Sequence, residues 1–360
     1  MNTKKMMLFV ILMVLGLAMP VASQPVSSKV PFREQVWRFS NFLPPHHWSN
    51  WSYSLLFDEI EKRTGGKIQC KMFVGEALGK AAEHYSMVVS GRVEMGVAIT
   101  GFTPGTFPLC GVLQLPFNWN SALEGSIVAN DLFRKGFLDE TLRKDIKTIA
   151  INLTVPLKIW TKKPVSTLDG LKGLRLRVAG GLDTQTVEAL GGAAIAMPQP
   201  EVFPALEKGV IDGGLYSFES ATIFKFAEAT KYVIDVPAGY AVHHTIINKK
   251  LWDSLSKNIQ ATLDEVFRYY EIQWGETYDI LEHKYKQNII KQYGVTVADL
   301  PPGEFDKMKA ATAKVKDDWI ADMKKKGLLG EKNYEALIAS MKNFGIILDQ
   351  TWVKNRALAK

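Results

Sequence analysis

The sequence predicts an α/β protein of two lobes facing each other across a cleft. Three observations carry that expectation. Apolar residues recur along the chain at a spacing of two, then of three and four, then of two again. The apolar, β-branched stretch from Lys147 to Thr161 is too long for an ordinary strand of about 5–6 residues. Leu251 to Tyr293 holds no proline and only Gly275, which allows a helix far longer than the usual 3–4 turns.

In order, Val36-Trp37-Arg38-Phe39-Ser40 reads as the first strand, and a helix follows with Tyr53, Leu56, Phe57 and Ile60 on one face. Thr64-Gly65-Gly66 ends it, because glycine accepts the left-handed conformation past a helix end. Ile68 to Phe73 alternates as a strand, Lys80 to Ser90 reads as a helix, and Val93 to Ile99 as a third strand. Strand, helix and strand at this spacing imply a parallel sheet covered by helices. Ser121-x-x-Glu124 is a capping box opening a helix that runs to about Gly136. The stretch Lys147 to Thr161 then has the length to leave one sheet and enter another.

A second series follows it: a strand at Leu174 to Val178, helices over Leu182–Leu190 and Glu201–Lys208, and strands at Val210–Tyr216, Tyr232–Val236 and Ala241–Asn248. Two amphipathic helices between Glu304 and Phe344 close the chain. The expected division is lobe I over 36–155, completed by 240–250, and lobe II over 156–239, completed by the tail at 295–345. The helix over 251–293 bridges them. In open α/β sheets ligands lie beyond the carboxyl ends of the strands, so facing lobes place one site between them. Closure about a hinge is then the expected response to a ligand.

Composition agrees with a globular chain: 47% hydrophobic and 22% charged residues in 360 exclude disorder and coiled coil. The net charge is +7, yet no Lys/Arg block exceeds three residues, which excludes a tail-type nucleic-acid binder. Residues 1–23 have the layout of a secretory signal peptide: Lys4 and Lys5, the apolar run Met6 to Met19, then Val21-Ala22-Ser23. That run is shorter than the ~20 residues a membrane span needs. Its removal takes away two lysines and no acid, leaving +5. Residues 24–35, with Pro25 and Pro31, read as a flexible lead-in. A periplasmic location is expected. Cys70 on a strand and Cys110 in a loop read as two buried thiols, although an oxidising compartment would permit a bridge.

Catalytic signatures are missing from the sequence. There is no G-x-S-x-G, H-E-x-x-H, P-loop or G-x-G-x-x-G after a strand, so no enzyme activity and no cofactor are expected. His243 and His244 are neighbours on a strand and face opposite ways, so they cannot chelate one metal.

At Leu168-Asp169-Gly170-Leu171-Lys172-Gly173-Leu174-Arg175-Leu176-Arg177-Val178 the chain resembles the solute-binding proteins of tripartite ATP-independent periplasmic (TRAP) transporters, the DctP-like family. Gly75-x-x-Leu78-Gly79, Ser90-Gly91-Arg92-Val93-Glu94-Met95, Leu115-Pro116-Phe117 and Ala205-Leu206-Glu207-Lys208-Gly209-Val210-Ile211-Asp212-Gly213 extend the resemblance over nearly the whole mature chain. It implies a two-lobe periplasmic binding protein that captures an organic acid and delivers it to a membrane permease driven by an ion gradient. The family's ligand-binding arginine falls on Arg177. A guanidinium suits that role, since its planar fork matches a carboxylate bidentately and its charge does not titrate. Arg175 falls where the family often has lysine, and a solvated or structural role is expected for it.

The departures bear on the ligand. Tyr216 stands where many members carry a ligand-contacting asparagine. The second arginine of sialic-acid and C4-dicarboxylate binders would fall near Pro156, where none exists, although Lys158 is close by. One cation with several aromatics implies a monocarboxylate with an apolar or aromatic body. Trp48, Trp160, Tyr216 and Phe218 are the expected wall. From the first-lobe loops, His47 and Thr100 are expected to donate hydrogen bonds and Glu76 to accept one. A binding subunit of an ATP-driven importer or of a periplasmic sensory system shares the two-lobe plan and is the alternative.

Overall fold

The computed structural model of the chain describes residues 34–139 and 141–345. The expected signal peptide and nearly all of the lead-in lie outside these residues.

Two mixed sheets form the framework. The first contains β1 (Gln35–Ser40), β2 (Ile68–Phe73), β3 (Met95–Ile99), β4 (Ile146–Leu153) and β10 (Val242–Asn248), in the order β2-β1-β3-β10-β4. The second contains β5 (Leu157–Thr161), β6 (Arg175–Val178), β7 (Ala193–Ala196), β8 (Gly213–Tyr216), β9 (Tyr232–Gly239) and β11 (Thr296–Val297), in the order β11-β9-β5-β8-β6-β7. A wholly parallel sheet was expected, but one strand in each runs against its neighbours: β10 in the first and β5 in the second. These are the two strands that have just arrived from the other sheet. A chain that leaves one sheet at a strand's carboxyl end and crosses the cleft enters the other sheet from the cleft side, and so runs antiparallel to it.

The crossings explain the long apolar stretch. It breaks at Thr154–Pro156 into β4 and β5, because Pro156 has no N–H to give a central ladder. The return crossing is Tyr240–Ala241, between β9 and β10. The two are tied together: Thr154 N–H donates to Ala241 O (3.0 Å), and Ala241 N–H donates to Thr154 Oγ1 (3.0 Å). β7 was not expected from the sequence. Its Ala-Ala-Ile-Ala run has little β-propensity, and only its place at the sheet edge beside β6 makes it a strand.

The capping box at Ser121 opens the helix Ala122–Lys135, with Ser121 Oγ accepting from Glu124 N–H (3.1 Å). Glu124 accepts from Asn120 N–H instead of Ser121 N–H. The long helix runs over Lys257–Tyr293, about 55 Å at 1.5 Å per residue. It begins later than expected because Asn248 and Ser256 each cap a helix, making Lys249–Ser254 a separate turn. Along its length it packs on β4 and on the helices Trp48–Arg63 and Ala122–Lys135, then on the short helix Phe218–Ile223 of the second lobe. Gly275 permits the closest crossing, where a Cβ would stand 2.7 Å from Leu123 Cα.

The tail packs on both lobes, with its helix Glu304–Lys325 against the second-lobe helix Leu182–Ala189. Met308 joins the apolar cluster of the second sheet, but Val315, Trp319, Met323, Leu337 and Met341 join the cluster of Val128, Leu132 and Ile151 in the first lobe. The helix Gly330–Asn343 lies against Ala122–Lys135, held by Ser340 Oγ donating to Asp131 Oδ2 (2.6 Å) and by Asn333 donating to Phe137 O. Its apolar stripe finds its partner there. Cys70 is only half-buried, contrary to expectation, because β2 is an edge strand. Cys110 is buried, and both are free thiols.

Candidate functional site

A narrow cavity lies between the sheets, beyond the carboxyl ends of β3, β6 and β8. The crossing strands form its floor through Thr154, Leu157 and Ala241. Phe42, His47, Phe102 and His243 belong to the first-lobe wall, and Arg177, Gln199, Leu215, Tyr216 and Ser220 to the second. Trp274 and Tyr278 of the long helix complete it. The walls stand close, with room for hardly more than a single water between them.

Arg177 is the one described lining residue with a permanent charge. It sits on β6 between the parallel neighbours β7 and β8, and Gly214 makes room beside it, since a Cβ there would stand 2.8 Å from Arg177 Cβ. The side chain is 2% exposed. Nε donates to Met197 O (2.9 Å) and Nη1 to Leu215 O (3.3 Å), but Nη2 has no partner in the protein. Burial pulls its pKa down to about 10, against the opposing pull of Asp183 and Tyr216, which leaves it charged at neutral pH. A buried guanidinium with an unanswered N–H is suited to an anion.

Across the cavity mouth the lobes meet through a polar pair. His47 Nδ1 accepts from Ser49 N–H (3.1 Å) as the cap of its helix, and Nε2 stands 2.7 Å from Glu219 Oε1. Burial pushes the Glu219 carboxyl up, but the facing His47 ring and hydrogen bonds from Ser220 and Tyr278 outweigh it and hold the pKa low. His243 is neutral, because burial drops its pKa to about 3.

Of the residues expected at the site, Arg177, Tyr216 and His47 line this cavity together. Trp48 stands behind the lining, its ring 4.7 Å from Trp274 and 5.0 Å from Tyr278. Four expectations are corrected. Trp160 and Phe218 belong to a second-lobe core cluster; the Trp160 indole N–H donates to Tyr216 O (2.9 Å), and its ring stacks on Tyr216. Thr100 turns to His244 Nε2 (2.7 Å) and faces a different hollow. Glu76 occupies a left-handed turn and caps the next helix, accepting from Ala81 N–H (2.9 Å) and Lys80 Nζ (3.0 Å). Lys158 adds no charge to the cavity, since it is paired with Glu282 at 2.5 Å. Arg175 is exposed and engages Asp212 with both arms of its fork, through Nε (2.9 Å) and Nη2 (2.8 Å).

Gln199, His243, Trp274 and Tyr278 were not expected. A signal existed for the last two: Tyr270, Trp274, Tyr278 and Glu282 continue one stripe at four-residue spacing. His243 had none, because a histidine on a strand does not reveal what its face meets.

The family described as bacterial extracellular solute-binding protein, family 7, matches residues 39–322. A solute-binding protein of Chromohalobacter salexigens is 24% identical over 242 residues, which is 67% of this chain and 72% of that protein. A marine-metagenome TRAP solute-binding protein specific for aromatic acids, solved with 3-hydroxybenzoate, is similar with a TM-score of 0.80 at 26% identity. The match covers 86% of this chain and 99% of that one. A TRAP periplasmic solute-binding protein from Bordetella bronchiseptica, solved with (R)- and (S)-mandelate, is similar with a TM-score of 0.79 at 25% identity, over 86% and 99% of the two chains. Matched over most of its length, and sharing the two-lobe fold with solved members, the chain belongs to the bacterial extracellular solute-binding proteins of family 7, the solute receptors of TRAP transporters.

Proposed function

We propose that this receptor, exported to the periplasm by the leader at 1–23, closes on a monocarboxylate with an aromatic or apolar body and presents it to a TRAP permease. The observation that carries the reading is Arg177: buried, charged, lining the cavity, and with Nη2 unanswered by the protein. The rest of the cavity supports one carboxylate and not two. Lys158 is neutralised by Glu282, and the walls are built from Phe42, Phe102, Tyr216 and Trp274. The similar proteins solved with 3-hydroxybenzoate and mandelate bind ligands of this kind.

A thermal-shift screen of the mature protein against carboxylates tests it. A ligand at ~100 times its dissociation constant stabilises by ~2.7 kcal/mol, a plain rise in Tm. Benzoate, mandelate or 3-hydroxybenzoate should raise Tm, and succinate should not. A screen in which no carboxylate stabilises the protein contradicts the reading.

A further inference from the structure

Trp274 Nε1 and His243 Nδ1 also have no partner in the protein, and both residues line the same cavity as Arg177. Trp274 is 1% exposed and His243 is 7% exposed, so water does not answer these groups freely. Their rings are neighbours, 5.7 Å apart. Both belong to the first-lobe side: His243 is on β10, and Trp274 packs on Trp48, Tyr53 and Tyr270. Arg177 is on β6 in the opposite wall. The cavity therefore has two polar poles, one a fixed cation and the other an indole N–H beside an imidazole.

We propose that His243 and Trp274 form a second recognition pole that selects carboxylic acids bearing an uncharged polar substituent, a hydroxyl or oxo group, at the end remote from the carboxylate. The inference rests on the proposed capture of a monocarboxylate at Arg177. An indole N–H donates only, while an imidazole donates at one nitrogen and accepts at the other. Together they satisfy a hydroxyl in both of its roles. They do not suit a second carboxylate, because the imidazole carries no charge at neutral pH and Glu219 stands close to this wall through His47. An unsubstituted aromatic acid would leave both groups buried and unpaired, and such groups are costly.

Calorimetric titration of the wild-type protein with benzoate, 3-hydroxybenzoate, 4-hydroxybenzoate and isophthalate separates the outcomes. At least one hydroxylated acid should bind on the order of tenfold tighter than benzoate, as one hydrogen bond of ordinary strength predicts. Isophthalate should bind more weakly than any of the hydroxylated acids. Trp274→Phe and His243→Phe keep a flat ring and lose the polar atoms, so in each the ratio of hydroxylated-acid to benzoate affinity should fall towards one. Benzoate or isophthalate binding as tightly as the best hydroxylated acid would overturn the inference even if neither variant folds. So would a preference unchanged in both variants. Failure of every acid to bind the wild type would instead count against capture at Arg177 itself.

Discussion

Arg175 and Arg177 stand two positions apart on one strand and point to the same face, yet one is exposed and the other buried. Two residues of strand carry Arg177 ~7 Å closer to the cleft, and that displacement separates a surface ion pair from an anion site. Removing one member of a buried charge pair costs ~3–5 kcal/mol, so Arg177→Ala should lower affinity for the best carboxylate by roughly 200- to 5,000-fold. Arg177→Lys should lose less, and Arg175→Ala very little; calorimetry on folded variants measures all three. Binding by Arg177→Ala within tenfold of wild type would refute the anchor. Nearby, burial pushes the Asp183 carboxyl up to about 8, although Tyr240 N–H and Arg177 pull the other way. The folded state then keeps a proton that the unfolded chain releases near its ordinary value of ~3.9, so stability from this group falls as pH rises from about 4 to about 8. Asp183→Asn keeps the shape without the charge and should gain on wild type across that window. Urea midpoints at about pH 5 and about pH 8 test this, and equal shifts in the two proteins would contradict it. The sequence marked Arg177 because its motif is local. It misplaced Trp160 and Phe218 because an aromatic packs equally well against a core or a ligand, and only the far side of the sheet decides.

At the scale of elements, legibility followed contact range. The long stretch Lys147 to Thr161 and the helix ending at Tyr293 were visible because their length alone is unusual. The tail helices were visible as helices, but their partner was not, since an amphipathic stripe does not name the surface it meets. The crossing of the long helix over Ala122–Lys135 makes a direct prediction. Asp279 accepts from the Ala122 and Leu123 N–H groups (2.7 and 3.1 Å), and Gly275 lies against Leu123. Gly275→Ala would gain ~1 kcal/mol of helix propensity in an isolated helix. Here its Cβ meets backbone, an overlap that costs ~1–3 kcal/mol, so the net should be a loss of up to ~2 kcal/mol. Urea unfolding reads the balance, and a midpoint unchanged or raised would show that the helices can move apart at no cost.

For the whole molecule, the narrow cavity makes opening the expected route for a ligand. An aromatic acid should enter as the lobes part at the crossings Thr154–Pro156 and Tyr240–Ala241. Where they meet, Gly101 lies so close that a Cβ would run into the Ala179 carbonyl, and His47 faces Glu219. Parting the lobes would break these contacts. Small-angle scattering should therefore show a smaller radius of gyration with saturating ligand than without. Gly101→Val should hold the lobes apart and weaken binding while leaving the fold intact. The same radius with and without a tightly bound acid would rule out hinged closure. The strand order has a consequence of another kind. β10 sits between β3 and β4, yet it leaves the ribosome after β5 to β9 have all been made. Until then the first sheet has a gap one strand wide, and its apolar cluster still awaits Leu337 and Met341. The first lobe cannot fold first as a unit, as an N-terminal half ordinarily does. The early strands of the first lobe therefore wait unfolded for β10, and an unfolded segment is the form in which a chain can be threaded through a membrane pore.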